Sequence, residues 1–346
     1  MRGWYPQIGF LCTLFWIMTQ SIQSVLSVQS LPSQPVEDIY QKLDDVEHIL
    51  HRPDTYVGSC SAICQVMPTF SLENGLEIKE VPYVEGLAKI FDEILVNAAD
   101  HKTRNPRTMT YLNVTFKDGG ISVKNNGPGI PVQVHTKHNE WVPEMIFGSL
   151  RTSSNYKDSQ KKLTGGRNGY GAKLTNVFSK KFKVSTTDAD EKKKFSMTWT
   201  DHMSKKTKPQ IKELANPQPS TCIEFEPDMS LFRGVDSLDD VQGILTKRLL
   251  DIAGTCSSLS IKLNNQKMPV RGFKEYCKYV AKAMGVTSGV SYVRTNERWE
   301  IGLCASPKEE AQDISFVNHI ATINGGTHAR NIRWAVESEL RNRMEK

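Results

Sequence analysis

The chain has 346 residues, 38% of them hydrophobic and 24% charged, with a formal net charge of +6. That much apolar material can fill a core and is enough for two domains, so the composition excludes a disordered, highly charged chain. The small positive excess is compatible with a nucleic-acid-facing surface without demanding one. Seven cysteines, scattered without a C-x-x-C pair, read as free thiols of a reducing compartment rather than as a zinc site.

Arg2 precedes an apolar run, Ile8 to Met18, followed by Ser- and Gln-rich residues. The run is too short to span a bilayer but has signal-peptide proportions. The free-thiol reading argues against export, so residues 1–35 are set apart as an unmatched extension or a mispredicted first exon. Val36 to Ser59 reads as a charged, partly helical arm. Thr69 to Pro82 reads as a short hairpin turning at Glu73-Asn74-Gly75.

Next, Leu87, Ile90, Phe91, Ile94, Leu95 and Ala98 recur at the spacing of a helix with one buried face. Glu93 and Asn97 are four apart and lie one above the other beside that stripe. A carboxylate next to a carboxamide at a core boundary can serve as a water-activating base beside a Mg2+ ligand. Two solvated helix residues are the plain alternative. Tyr111–Phe116 and Ile121–Lys124 make a hairpin with an Asp118-Gly119 turn, and Val123 to Pro131, through Asn125, reads as a strand ending in a tight turn.

Val142 to Gly148 is a short helix. After it, Ser153, Ser154 and Asn155 suit ribose and phosphate oxygens, or a polar helix cap. Gly165 to Lys173 is a glycine-rich turn running into Leu174–Phe178. Glycine lets backbone N–H groups approach an anion, and a helix starting there adds its positive end, so a phosphate can sit on this loop. The spacing matches neither G-x-x-x-x-G-K-S/T nor a Rossmann G-x-G-x-x-G, which points to another kind of nucleotide site.

Lys180–Ser185, Phe195–Thr200 and Thr221–Glu226 are expected to be strands of one sheet. Lysine clusters at 161–162, 180–183, 192–194 and 205–208 read as solvated turns and strand ends. Asp239–Ile252 is an amphipathic helix and Ser260–Leu263 a closing strand. The character changes near Pro269–Phe273. Trp299–Cys304 alternates apolar with polar or small residues and reads as a strand.

The order and separation of the Glu93 helix, the Asn125 turn and the Gly165–Lys173 loop resemble the ATP site of the GHKL superfamily. Ile39–Leu43, Glu47–Ser59 and Thr152–Tyr156 narrow the resemblance to the eukaryotic type II DNA topoisomerases, from about Val36 to near the end of the chain. The resemblance implies an α/β fold: a GHKL (Bergerat-type) two-layer sandwich of a mixed sheet with helices on one face over residues 36–268. An incomplete α/β transducer domain over 269–346 would follow. Ser315–Thr322 with Asn324–His328 is similar to a strand and following turn of that second domain, with a last helix after them.

The resemblance also implies ATP and Mg2+ as cofactors. Glu93 would be the general base and Asn97 the side chain on Mg2+. Asn125 would recognise the adenine amino group, and Ser153, Ser154 and Asn155 would hold ribose and phosphates. Gly166, Arg167, Asn168, Gly169, Tyr170, Gly171, Ala172 and Lys173 would wrap the triphosphate, with Lys173 neutralising charge.

The implied partners are DNA, through a full-length enzyme, and a second subunit (a homodimer, or pairing with a full-length chain). The arm holding Tyr40 would reach into the partner's pocket. No membrane is involved, and the implied compartment is the nucleus. No segment up to Lys346 matches the family's transducer lysine or its DNA-cleaving half. The alternative is therefore a truncated paralogue that binds ATP and pairs with a subunit but turns over little.

Overall fold

The computed structural model describes residues 42–150, 152, 169–307, 312–323 and 325–345. The arm contributes helix α1 (Asp45–His51) and a 3-10 turn at Pro53–Thr55. Strands β1 (Ile63–Ser71) and β2 (Gly75–Tyr83) then form an antiparallel hairpin with Ser71 opposite Gly75. It is longer than its expected Thr69–Pro82. Residues at its open end, such as Ile63 and Val66, are exposed, so they pair through the backbone without leaving a period-two burial pattern.

Helix α2 (Glu85–Arg104) follows, and all six apolar residues read as its buried stripe are buried. Full burial of a side chain such as Phe91 stabilises by about 1.5–3 kcal/mol. Strands β3 (Tyr111–Lys117) and β4 (Gly120–Asn125) turn at Asp118 and Gly119, whose φ values of 51° and 72° match a two-residue left-handed turn. The short pair β5 (Val134–His135) and β6 (Glu140–Trp141) leads into α3 (Val142–Gly148). After 169 come α4 (Gly171–Val177), β7 (Ser179–Asp188), β8 (Lys193–Thr200), β9 (Lys205–Lys206), β10 (Gln210–Glu213) and β11 (Ser220–Pro227). Helix α5 (Asp239–Thr255), β12 (Ser260–Leu263) and β13 (Gln266–Lys267) complete this part.

Among the described residues, nine strands form one sheet in the order β10-β8-β7-β11-β4-β3-β12-β13, with β9 on β8. Every pairing is antiparallel except β12 on β3, which makes the sheet mixed. Register builds its inner face in rows. One row is Val114, Val123, Ile223, Val184 and Met197, and the next is Phe116, Ile121, Phe225, Phe182 and Trp199. The buried faces of α2, α3, α4 and α5 join these rows in one core, so helices cover one face of the sheet as expected.

Beyond β13 lie α6 (Phe273–Ala283), the pair β14 (Ser291–Arg294) and β15 (Glu300–Leu303), and α7 (Thr327–Met344). Ser315–Thr322 is not one strand. It folds as a tight hairpin, β16 (Phe316–Val317) and β17 (Ile320–Ala321), because Asn318 and His319 take left-handed turn conformations, with φ of 49° and 67°. Phe316 packs edge-on to Phe273 and Tyr276. At the tip, His319 shares hydrogen bonds with Thr255 Oγ1 (3.1 Å) on α5 and Thr103 Oγ1 (3.4 Å) on α2. Arg248 of α5 donates to the His319 carbonyl and to Asp92 Oδ1 on α2, the latter at 2.6 Å.

Helix α6 is fastened to α5 by the buried Tyr276 hydroxyl, which donates to Asp251 Oδ1 at 2.7 Å. Lys247 holds the other carboxylate oxygen at 3.0 Å. Burial and the adjacent carboxylate push the Tyr276 phenol up, so it remains a donor. Tyr276→Phe is expected to cost about 1.5–3 kcal/mol, the range for a hydrogen bond to a charged group. A denaturant midpoint unchanged from wild type would show that this bond contributes nothing.

Candidate functional site

A cleft of ≈ 570 Å³ opens between α2, the end of β4, α3 and the start of α4. Glu93 and Asn97 line it from the flank of α2, as their four-residue spacing requires, and His101 continues the line one turn further. Asn125 faces it from the last position of β4. Gly169, Tyr170, Gly171, Ala172 and Lys173 close it from the other side. Ser153, Ser154, Asn155, Gly166, Arg167 and Asn168 lie outside the described residues, as does Tyr40.

Asn125 occupies a third inner row of the sheet, Leu112, Asn125, Thr221, Thr186 and Phe195. Here three polar groups replace the apolar ones of the neighbouring rows, and Asn125 and Thr221 face the cleft. Asn125 is 6% exposed, and its Oδ1 accepts from the Gly127 N–H at 3.1 Å. Thr186 Oγ1 accepts from the Ile130 N–H at 2.9 Å, holding the turn that follows. That turn requires glycine at two positions. A Cβ on Gly127 would come within 2.5 Å of His101 Nε2, and one on Gly129 would overlap the Thr187 carbonyl.

Glu93 is paired with Lys89, Nζ to Oε1 at 2.5 Å. Gly171, the first residue of α4, lies directly against it, and any Cβ there would fall inside the Glu93 carboxylate. Close backbone approach, rather than an unusual φ, is why this position is glycine. Lys173 is buried, and its Nζ donates to the carbonyls of Thr152 (2.7 Å) and Gly169 (2.6 Å). Burial lowers its pKa to about 8. Burial likewise lowers that of His101, with Arg104 adding to the effect.

The cleft also contains residues that sequence reasoning did not single out. Lys89 and His101 sit one turn before Glu93 and one turn after Asn97, so the same spacing that linked that pair extends to both. Thr221 is in the cleft because β11 pairs with β4 in a register that places it opposite Asn125. No local signal announces that. Thr55 and Tyr56 arrive from the arm, with Tyr56 6.4 Å from Tyr170 between ring centroids.

The donor set fits a nucleotide carrying its own metal ion. Among the described residues there is no cluster of three or more His, Cys, Asp or Glu able to hold a metal. One carboxamide oxygen in the cleft suits Mg2+, which keeps waters and phosphate oxygens as most of its ligands. The Glu93 carboxylate fills the place a side chain at Gly171 would take, so it is held against the backbone at the start of α4.

A family model described as histidine kinase-, DNA gyrase B-, and HSP90-like ATPase matches residues 83–205, and one described as DNA gyrase B matches 272–346. DNA topoisomerase 2-alpha of Homo sapiens is 46% identical over 312 residues, which are 88% of this chain and 20% of that protein. The chain thus spans about a fifth of the length of the curated relatives it matches. The crystal structure of the ATPase region of Saccharomyces cerevisiae topoisomerase II superposes with a TM-score of 0.85 at 41% identity, over 90% of this chain and 82% of that one. The ATPase and transducer domains of DNA topoisomerase II from Balamuthia mandrillaris give 0.80 at 40% identity, over 86% and 76%. Among the described residues no helix is long and apolar enough to cross a membrane. The chain belongs to the eukaryotic type II DNA topoisomerase family and corresponds to that family's ATPase region.

Proposed function

We propose that this chain binds ATP with Mg2+ in the α2–α4 cleft and hydrolyses it. The observation that carries the reading is the convergence of Glu93, Asn97 and Asn125 on one cleft, with the Gly171 backbone pressed against the carboxylate. Glu93 orients a water for attack and accepts its proton. Asn97 is the protein ligand of the ion, whose chemistry is to neutralise charge on the phosphate oxygens. The buried Asn125 reads the base edge beside Thr221. Ser153, Ser154 and Asn155 take the ribose and phosphates, and residues 166–173 wrap the triphosphate.

Family membership supports the wider reading. Residues 36–268 form the ATPase domain and 269–346 part of a transducer. Nucleotide-driven closure of a homodimer in the nucleus then captures DNA, as part of a longer enzyme. The test is magnesium-dependent nucleotide binding and turnover by the chain, with Glu93→Ala beside it. Binding with Glu93-dependent turnover supports hydrolysis. Binding without turnover reduces the chain to a nucleotide-binding module, and no binding refutes the reading.

Lys173 adds a pH signature. Its pKa of about 8 is below the usual lysine value because of burial, and phosphate oxygens placed beside it would favour the charged form and raise that value. Binding therefore takes up a proton once the pH exceeds about 8, and affinity declines as pH rises further. Calorimetry just above that pH, in two buffers of different ionisation enthalpy, should show the uptake for wild type. It should vanish for Lys173→Arg, which stays charged. Equal heats for wild type in both buffers would remove Lys173 from phosphate contact.

A further inference from the structure

We propose that the outer face of the sheet, opposite the helices, is a contact surface for duplex DNA. The proposal does not rest on the nucleotide reading of the cleft. The strand register places side chains of one outer row on all eight strands of the main path: Lys267, Lys262, Asn113, Lys124, Cys222, Ser185, Ser196 and Gln210. The row has three lysines, five neutral polar or thiol side chains and no carboxylate. In the adjoining row Lys194 lies directly opposite Lys212.

These five lysines form no ion pair among the described residues. The nearby Glu224 is already taken by Lys183 at 2.8 Å. Lys124, Lys194, Lys212 and Lys267 are exposed, while Lys262 is half-buried with its Nζ 5.9 Å from the Tyr111 ring centroid.

Two ordinary explanations account for part of this. Lysine on an edge strand prevents edge-to-edge pairing, which explains Lys267 on β13. It does not explain Lys124 on the interior strand β4. Like charges directly opposite one another destabilise a sheet, yet Lys262 faces Lys267 and Lys194 faces Lys212. An anion lying across both pairs would relieve that repulsion. Eight strands at about 4.8 Å spacing span about 34 Å, the length of about ten base pairs at 3.4 Å per step. Asn113 and Ser185 already donate to Thr115, Asn265 and Ser196, while the Ser196 hydroxyl and the Gln210 amide of the same row are neutral donors that phosphate oxygens accept from. A long, regularly charged duplex fits a row of this length better than a compact anion does.

The test is fluorescence anisotropy of the full chain with a short labelled duplex, from about 50 to about 200 mM salt. Wild type is compared with Lys124→Gln/Lys262→Gln/Lys267→Gln, and with a charge-matched control, Lys278→Gln/Lys282→Gln/Arg341→Gln, on α6 and α7. The outer-face variant should flatten the salt slope by about 2.7 and weaken binding about tenfold or more at low salt. The control should change binding less than about twofold. Equal losses in the two variants would mean that only net charge counts, and would overturn the proposal. So would absence of duplex binding by wild type, or equal affinity for a single strand of the same length. Thermal midpoints confirm that each variant is folded, whatever the cleft binds.

Discussion

Glu93→Gln is expected to lower ATP turnover by about 10³-fold, within the range for removing a general base, while nucleotide affinity stays within about threefold. Glutamine keeps the shape and can still accept a hydrogen bond from water, but it cannot take the proton. The substitution also removes the ion pair with Lys89, but that lysine side chain is 45% exposed. An exposed pair of this kind contributes at most about 1 kcal/mol, so the fold should be unaffected. Single-turnover kinetics with magnesium and labelled ATP separate the steps. Turnover within about tenfold of wild type would remove Glu93 from the chemistry.

Gly171→Ala is expected to be nearly as damaging, although alanine is the best helix former. The added Cβ would occupy the place of the Glu93 carboxylate, so either α4 or the carboxylate must move. Helix α4 is held in place. Thr175 Oγ1 donates to the Ile90 carbonyl on α2 at 2.8 Å, Asn176 Nδ2 donates to the Phe147 carbonyl on α3 at 3.2 Å, and Leu174 and Val177 are in the core. Glu93 therefore rotates away. A misplacement of about 1 Å costs about 10²-fold in rate, and overpacking adds about 1–3 kcal/mol of destabilisation. Combining Gly171→Ala with Glu93→Ala should restore most of the lost stability but none of the activity. Simple additivity of the two stability changes would show that the residues do not compete for space.

What the sequence disclosed was local. The apolar spacing of α2 placed Glu93 and Asn97 on one flank before any contact was known. The Asp118-Gly119 turn, the bounds of α3 and those of β12 could also be read from neighbouring residues. Register between distant strands could not. Thr221 reaches the cleft only through pairing with Asn125, 96 positions away in the numbering, and the eight-residue outer row exists only once eight strands are in order. The Ser315–Thr322 segment reads as one strand only through the family resemblance, although its two apolar pairs, Phe316-Val317 and Ile320-Ala321, flank the polar Asn318 and His319 that turn it back at the middle. Nor does composition show that the Lys173 ammonium is already held by two carbonyls.

The grip of Arg248 has a mechanical meaning. One guanidinium holds both Asp92, the immediate neighbour of Glu93, and the carbonyl at the tip of the β16–β17 hairpin. Its own side chain is 13% exposed, so water cannot readily replace either partner if one leaves. A force that drew the hairpin outward would be resisted at the helix carrying Glu93, and a tilt of that helix would tug on the hairpin. Helix α2 and the β16–β17 hairpin, more than 200 positions apart in the numbering, are thus joined by a short tether whose anchor on the helix is one residue from Glu93.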